Sequence, residues 1–314
     1  MKVKFWGVRG SLPTPGPKTA RYGGNTTCLQ VLRDKGPLLI LDAGTGVREL
    51  ADHLMKTEKP PFDIRMLVTH THWDHIHGFP FFTPIYVPGS TIEVYGIGPL
   101  HNGKGFERVM RDQMTYSYFP VENTMLDNTV KYFDFNDMFK YREGGVEGQF
   151  KAADGVTVKL KLTNHPVYCV AYRIECDGKS FIFTGDHEPY YDTRLPAEVT
   201  AATDETNTET RSLVELMNDR FIEFCEGVDL LVMDTTYTQQ EYETSKRGWG
   251  HSYFEYNIQV AKRARIKKLA FTHHDPTRTD DDLDRLMAKY LDMAKAELPS
   301  CEVFAAREGL VVEL

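Results

Sequence analysis

The chain has 314 residues, 41% hydrophobic and 26% charged, enough to bury a large core in one large domain or two small ones. No apolar stretch approaches the ~18–20 residues that span a bilayer, and the start, Met-Lys-Val-Lys-Phe-Trp-Gly, is too short and too alternating for a signal peptide. A net charge of −8 argues against a broad nucleic-acid footprint, and five cysteines (Cys28, Cys169, Cys176, Cys225, Cys301) without a Cys-x-x-Cys pair point to reduced thiols in a cytoplasmic protein.

In chain order, short apolar or alternating runs predict strands at 2–6, 29–32, 37–41, 64–68 and 91–95, separated by Gly, Pro and Asn. A helix is expected near 105–114, followed by the aromatics Tyr116, Tyr118 and Phe119, which either stack on a base or simply pack. Strands follow at 156–162, 169–176 and 180–184, the last two joined by the hairpin signal Asp177-Gly178. The segment 190–210 has few apolar residues and reads as a surface insertion; a lid and a solvated loop both fit it. A strand at 230–233 ends at Asp234. Ser252 and Glu255 have capping-box spacing, predicting a helix to about Arg263, and 268–272 is a strand. From Asp280 a helix carries Leu283, Leu286, Met287, Tyr290, Leu291 and Ala294 on one face.

The densest chemistry follows the apolar run 66–68. The sequence Thr-His-Thr-His-Trp-Asp-His-Ile-His-Gly at 69–78 supplies His70, His72, Asp74 and His75 almost consecutively. Imidazole and carboxylate at this density suit a borderline divalent cation such as Zn²⁺. This run resembles the His-x-His-x-Asp-His signature of the metallo-β-lactamase superfamily. The likeness extends through Leu-Asp-Ala-Gly-Thr-Gly at 41–46, Thr-Asn-His-Pro at 163–166, Thr-Gly-Asp at 184–186 and Phe-Thr-His-His at 271–274. Each landmark ends an apolar run, and all occur in family order.

The resemblance implies an α+β protein folded as a four-layer αββα sandwich; periodicity alone gives only a mixed α and β chain. It is expected as one domain over 1–314, with surface insertions near 101–150 and 190–225. The resemblance also implies two divalent ions, Zn²⁺ first, with Mn²⁺ or Fe fitting the same ligands. His70, His72 and His165 would hold one ion, Asp74, His75 and His273 the other, and Asp186 would bridge. Seven ligands leave open positions, and a hydroxide between the ions would be the nucleophile. Asp74 therefore also counts as catalytic. His274 is the rival of His273, which directly follows the strand-ending Thr272. Asp42 is expected to organise the loop. His53, His101 and His187 are assigned no role.

The reaction class comes from Met-Asp-Thr-Thr-Tyr at 233–237 and Gly-His-Ser at 250–252. These resemble late motifs of the phosphodiesterase branch, which includes tRNase Z, the phosphoribosyl cyclic phosphodiesterases and the class II cyclic-nucleotide phosphodiesterases. By that resemblance His251 is the proton donor and phosphate contact, and Asp234 fixes its tautomer. The chain departs from tRNase Z in having Met-Asp-Thr-Thr where that family has a His-Glu-Ala-Thr type motif, and in lacking a long Gly/Pro-rich arm. Trp-Gly-Val-Arg-Gly-Ser at 6–11 and Tyr-Gly-Gly-Asn-Thr at 22–26 are similar instead to a bacterial subgroup of uncharacterised metallo-hydrolases. Arg9, Ser11, Asn25, His77 and His274 are the candidate substrate contacts.

The resulting expectation is a cytoplasmic two-metal phosphodiesterase acting on a small phosphodiester such as a 3′,5′-cyclic nucleotide. Neither a membrane nor a nucleic-acid polymer is expected as partner, and a homodimer is allowed. The alternatives are hydrolysis of another ester, thioester or lactam, a tRNase Z-like ribonuclease, and a non-catalytic metal-bound sensing domain.

Overall fold

Alternation decides the first strand: in β1 (Lys2–Gly7) Val3 and Phe5 are buried while Lys2 stays exposed. The computed structural model describes residues 1–98, 105–142, 145–191 and 205–314. β2 (Cys28–Leu32) and β3 (Leu38–Leu41) lead into α1 (Gly46–Thr57) and β4 (Asp63–Leu67). A short turn of helix, α2 (Trp73–Ile76), precedes β5 (Thr91–Gly96), α3 (Phe106–Asp112) and β6 (Val130–Asp134). The second half begins with β7 (Lys140–Arg142), β8 (Gly145–Ala153), β9 (Val156–Leu162), β10 (Val170–Cys176) and β11 (Lys179–Phe183). It continues through α4 (Glu205–Cys225), β12 (Leu230–Asp234), α5 (Gln239–Glu241), α6 (Phe254–Ala264) and β13 (Lys268–Thr272). The chain closes with α7 (Asp280–Glu297), β14 (Glu302–Ala305) and β15 (Val311–Glu313).

Two sheets result, ordered β15-β1-β2-β3-β4-β5-β6 and β14-β13-β12-β11-β10-β9-β8-β7. Between them lies one apolar core, to which Val3, Phe5, Leu29, Leu41, Tyr172, Phe183 and Val232 all belong. The outer face of the first sheet is covered by α1 and α3 through Val47, Leu50, Leu54, Phe106 and Met110. α4, α6 and α7 cover the second through Phe221, Phe254, Ile258, Met287 and Tyr290. This is the αββα sandwich that the sequence landmarks implied. Strands β3 to β6 and β11 to β14 are parallel neighbours, so their carboxyl ends face the same way within each sheet. The Asp177-Gly178 hairpin forms as read, with both residues at positive φ (55° and 68°). Among the described residues no helix is long and apolar enough to cross a membrane.

Several expectations change. The helix after Ser252 is real, but Tyr253 is its N-cap and no side chain caps it. Ser252 Oγ donates instead to Asn257 Oδ1 (2.7 Å), and Glu255 accepts from Gln239 N and Tyr290 OH, so tertiary partners took both groups of the supposed box. Of the stretches expected as surface insertions, β6, β7 and β8 are sheet and α4 begins already at Glu205. The lid or loop expected over 190–210 falls largely at 192–204, and His101 at 99–104, both outside the described residues. Phe119 packs on Phe81 (5.3 Å between rings), while Tyr116 and Tyr118 are exposed.

Arg9 stitches the two ends of the chain together and is not a substrate contact. Its side chain is fully buried. Nε donates to Gly23 O (2.8 Å), Nη1 to Arg278 O (2.8 Å) and Asp275 O (3.3 Å), and Nη2 lies 3.7 Å from Asp280. No local pattern announces acceptors this distant in sequence. Removing one partner from a buried pair strands the other, at a cost of ~3–5 kcal/mol. Arg9→Ala is therefore expected to lower unfolding stability by about that amount in urea titrations; a loss below ~1 kcal/mol would show the exposed carbonyls re-solvating freely.

Candidate active site

The site sits where carboxyl ends of strands from both sheets meet. β4 ends shortly before Thr69 and His70, β11 shortly before Asp186 and β13 just before His273, and Asp234 is the last residue of β12. The sheets are tied at this edge by Val170 N donating to Thr69 O (2.9 Å) and Tyr172 OH to Val68 O (2.6 Å).

Three groups of donors share Asp186, the third formed with Asp234, His251 and His273. His70, His72, His165 and Asp186 offer atoms within 4.8 Å of one another, and so do Asp74, His75, His273 and Asp186. In the second group His75 Nε2 is 3.3 Å from Asp74 Oδ2 and 3.3 Å from Asp186 Oδ1. His273 Nε2 is 3.2 Å from Asp74 Oδ2 and 3.3 Å from Asp186 Oδ1. Ligand atoms at ~2.0–2.1 Å in a tetrahedron around Zn²⁺ are separated by roughly 3.3 Å, and these spacings match the edges of such a shell. In the first group His70 Nε2 lies 3.5 Å and His165 Nε2 3.8 Å from Asp186 Oδ2, and His72 Nδ1 is 3.1 Å from His165 Nε2. His70 Nε2, His75 Nε2 and Asp186 Oδ1 are buried without a hydrogen-bond partner. Three orphaned polar atoms pointing at one another are what a cation would satisfy.

Electrostatics agree. Burial drives His165 down to about 4 and His70 well below the usual imidazole range, so both keep the lone pair that a cation needs. Burial also opposes charge on Asp186, but His273, His75 and His70 outweigh it and hold the carboxyl well below its ordinary range. Burial likewise opposes the His75 imidazolium, yet Asp186, Asp74 and Asp42 raise its pKa; these carboxylates demand positive charge at the second group.

A second layer holds the donors in place. Asp42 accepts from His75 Nδ1 (2.6 Å), Thr69 N (2.7 Å) and Thr69 Oγ1 (2.9 Å), leaving His75 Nε2 aimed inward. His165 Nδ1 donates to Gly250 O (2.9 Å). Thr236 Oγ1 joins Asp234 (2.7 Å) to His273 Nδ1 (2.9 Å). A Cβ on Gly10 would overlap the His273 ring, and one on Gly250 would overlap His165. Ser11, Asp42 and His273 all adopt positive φ (60°, 59°, 59°), strain that the surrounding contacts impose.

His251 Nδ1 donates to Asp234 Oδ2 (3.0 Å), which leaves Nε2 for the cavity. Burial opposes its charged form, but Asp234 and then Asp186 outweigh this and raise it to about 9. Asp234 also accepts from Thr236 N and Oγ1, His187 N and Ser252 N. These contacts fix the Asp234 carboxylate against the His251 ring. Ser11, Thr71, His72, Trp73, Asp74, Asp186 and His251 line an open cavity of about 580 Å³.

The structure thus gathers His70, His72, Asp74, His75, His165, Asp186, His273, Asp234, His251 and Ser11 around one point. It does not bring the other substrate candidates there. Asn25 pairs with Glu308 (3.2 Å), His77 is exposed away from the cavity lining, and His274 is buried with Nε2 donating to Ala306 O (2.9 Å). Ser11 reaches the site through its backbone, N donating to Asp74 Oδ2 (2.7 Å). Sequence reasoning missed Trp73, Thr236 and Glu188. Trp73 lay inside the ligand motif and Thr236 beside Asp234, so proximity was their only signal. Glu188 is buried and accepts from Gly248 N (2.6 Å) and Gly250 N (2.9 Å), fixing the loop before His251; nothing local marks it.

The sequence model of the metallo-beta-lactamase superfamily matches residues 21–220. Ribonuclease Z of Enterococcus faecalis is 23% identical over 299 aligned residues, covering 87% of this chain and 86% of that protein. The metallo-beta-lactamase fold protein YhfI from Bacillus subtilis superimposes with a TM-score of 0.64 at 21% identity, covering 99% of each chain. Human tRNase Z, short form, does so at 0.62 and 19% identity, covering 100% of this chain and 99% of that one. Relatives named for cutting RNA overturn the expectation of a small-molecule partner that excludes nucleic acid. The physical reason is that net charge sums the whole surface, whereas a phosphodiester is recognised locally, beside cations that the amino-acid count omits. With its fold, its donor clusters and this family match in agreement, the chain belongs to the metallo-beta-lactamase superfamily of metal-dependent hydrolases.

Proposed function

We propose that the protein is a binuclear metal-dependent phosphodiesterase whose substrate is an RNA phosphodiester. The observation that carries the reaction class is the His251–Asp234 pair, held at 3.0 Å on the wall of the cavity that the donor clusters also line. The RNA assignment is supported by the relatives named ribonuclease Z. Among the residues lining the cavity Trp73 offers an indole face, which stacks on any base, so the lining does not single out a 3′,5′-cyclic nucleotide. In this reading His70, His72 and His165 would hold one ion and Asp74, His75 and His273 the other, with Asp186 available to either. Zn²⁺ suits the nitrogen and oxygen donors, and Mn²⁺ or Fe suit the same set. Two such ions, when bound, supply an activated water and neutralise charge on the phosphate.

The chain's own residues do the rest. His251 gives the proton from Nε2 to the departing oxygen. Asp234 keeps the proton on Nδ1 and so fixes which nitrogen faces the substrate. Burial opposes the charged form, but Asp234 outweighs it and raises His251 to about 9, so the imidazolium that gives the proton is populated near neutral pH. Thr236 couples this pair to His273, so proton donor and cation site share one scaffold.

Elemental analysis should find about two ions per chain in reconstituted protein and fewer in Asp186→Ala. One ion per chain, insensitive to that substitution, would contradict the shared carboxylate. His251→Ala should cost ~10²–10⁴ in kcat on a phosphodiester while metal content holds. Asp234→Asn should cost less, because it misorients the ring without removing it. Full activity in His251→Ala, or loss of metal from it, ends the proton-donor assignment. A substrate panel of oligoribonucleotides, cyclic nucleotides, thioesters and lactams decides the class; turnover of thioesters or lactams with every phosphodiester untouched would overturn it.

A further inference from the structure

The loop that delivers His251 carries Lys246-Arg247-Gly248-Trp249-Gly250, and neither the donor clusters nor the His251–Asp234 pair uses its side chains. Trp249 is 56% exposed, with Lys246 Nζ 3.7 Å over its ring. The same ammonium is 5.7 Å from the Tyr237 ring, and Tyr237 stands 6.0 Å from the His251 ring. A continuous line of rings and cation therefore runs from solvent to the cavity wall. Arg247 lies over Tyr191 and Tyr242, its Nε buried without a hydrogen-bond partner. Among the described residues neither Lys246 nor Arg247 has an acidic partner. By contrast Arg21, Arg48, Arg65, Arg111 and Arg278 each sit on a carboxylate. In a chain of net charge −8, two adjacent uncompensated cations beside an exposed indole need an explanation.

The backbone beneath them is built rather than loose. A π-helical turn, Tyr242–Lys246, opens the loop, and Glu188 accepts the amides on either side of Trp249, at Gly248 (2.6 Å) and Gly250 (2.9 Å). Such π turns gather at functional sites. Pinning both flanking amides holds the indole out at a set angle, so little ordering remains when a flat ligand lands on it.

We propose that Trp249, Lys246 and Arg247 form a platform for a nucleotide flanking the scissile phosphate of single-stranded RNA. The indole stacks on a base, which any base permits, and the two cations meet backbone phosphates. This rests on the RNA phosphodiesterase reading above and adds where the polymer is gripped.

The test uses the full, metal-reconstituted chain as wild type, Trp249→Ala and Lys246→Gln. Binding of a fluorescent, uncleavable 2′-O-methyl oligoribonucleotide is measured by anisotropy across salt concentrations. Cleavage of the unmodified oligoribonucleotide and of bis-p-nitrophenyl phosphate is measured in parallel. Trp249→Ala should raise Kd about tenfold. Lys246→Gln should weaken binding and flatten the slope of log K against log salt by about 0.7, one phosphate contact on a single strand. For both variants the ratio of kcat/KM on RNA to that on the small diester should fall several-fold. Unchanged Kd and salt slope in both variants overturn the platform, as does a wild type that hydrolyses the small diester but does not bind the RNA. A wild type that binds RNA through these residues but hydrolyses no phosphodiester keeps the platform and removes the phosphodiesterase reading.

Discussion

Asp186 places one buried carboxylate between two groups of imidazoles, 3.3 Å from His75 and His273 on one side and 3.5 Å from His70 on the other. A lone ionised carboxylate in such a place is strongly disfavoured. It stays ionised because histidines surround it, and those histidines are there because strand ends from both sheets are forced to one edge. The sandwich itself is thus what makes the charge arrangement tolerable. His70 follows β4 of the first sheet, whereas Asp186 and His273 follow β11 and β13 of the second. Loss of the packing between the sheets would separate the groups that neutralise one another.

Orientation depends on a different set of residues. Asp42, Thr69, Thr236, Gly250 and Glu188 touch the donors or the loops that carry them, and each removes a freedom. Asp42 and Thr236 engage the Nδ1 atoms of His75 and His273, so the Nε2 atoms point inward. Gly10 and Gly250 leave room where a side chain would press on an imidazole. The positive φ of Asp42 and His273 belongs to the same economy: the backbone holds an unfavourable angle because the hydrogen bonds around it leave no other. Glu188 adds a longer connection. It follows closely on Asp186, and its backbone N bonds to Asn164 O beside His165 (2.9 Å) while its side chain fixes the loop before His251. One residue thereby links Asp186, His165 and the loop that carries His251.

The acidic total of this chain and its kinship with ribonucleases are compatible once charge is read locally. Most arginines and lysines near the surface are paired with carboxylates and contribute little field beyond about a Debye length. Among the described residues Lys246 and Arg247, on the loop before His251, form no ion pair. Whole-chain charge could not show this, because pairing is a property of neighbours in space.

Short-range patterns are what a linear chain makes legible. The histidines and aspartates that cluster, their order, the strand that precedes each one, the Asp177-Gly178 hairpin and the apolar face of α7 were all legible, because each depends on neighbours within a few positions. The His251–Asp234 pair was legible only through family likeness, since 17 positions separate them. Tertiary structure decided the remainder. Arg9 and His274 look like polar site residues in a list, but each is buried against backbone carbonyls, at Arg278 and Ala306 respectively. Ser252 and Glu255 have capping spacing, yet Asn257 and Tyr290 claimed them. A polar side chain's role is set by whichever partner lies within hydrogen-bond reach after folding, and a linear sequence does not carry that distance.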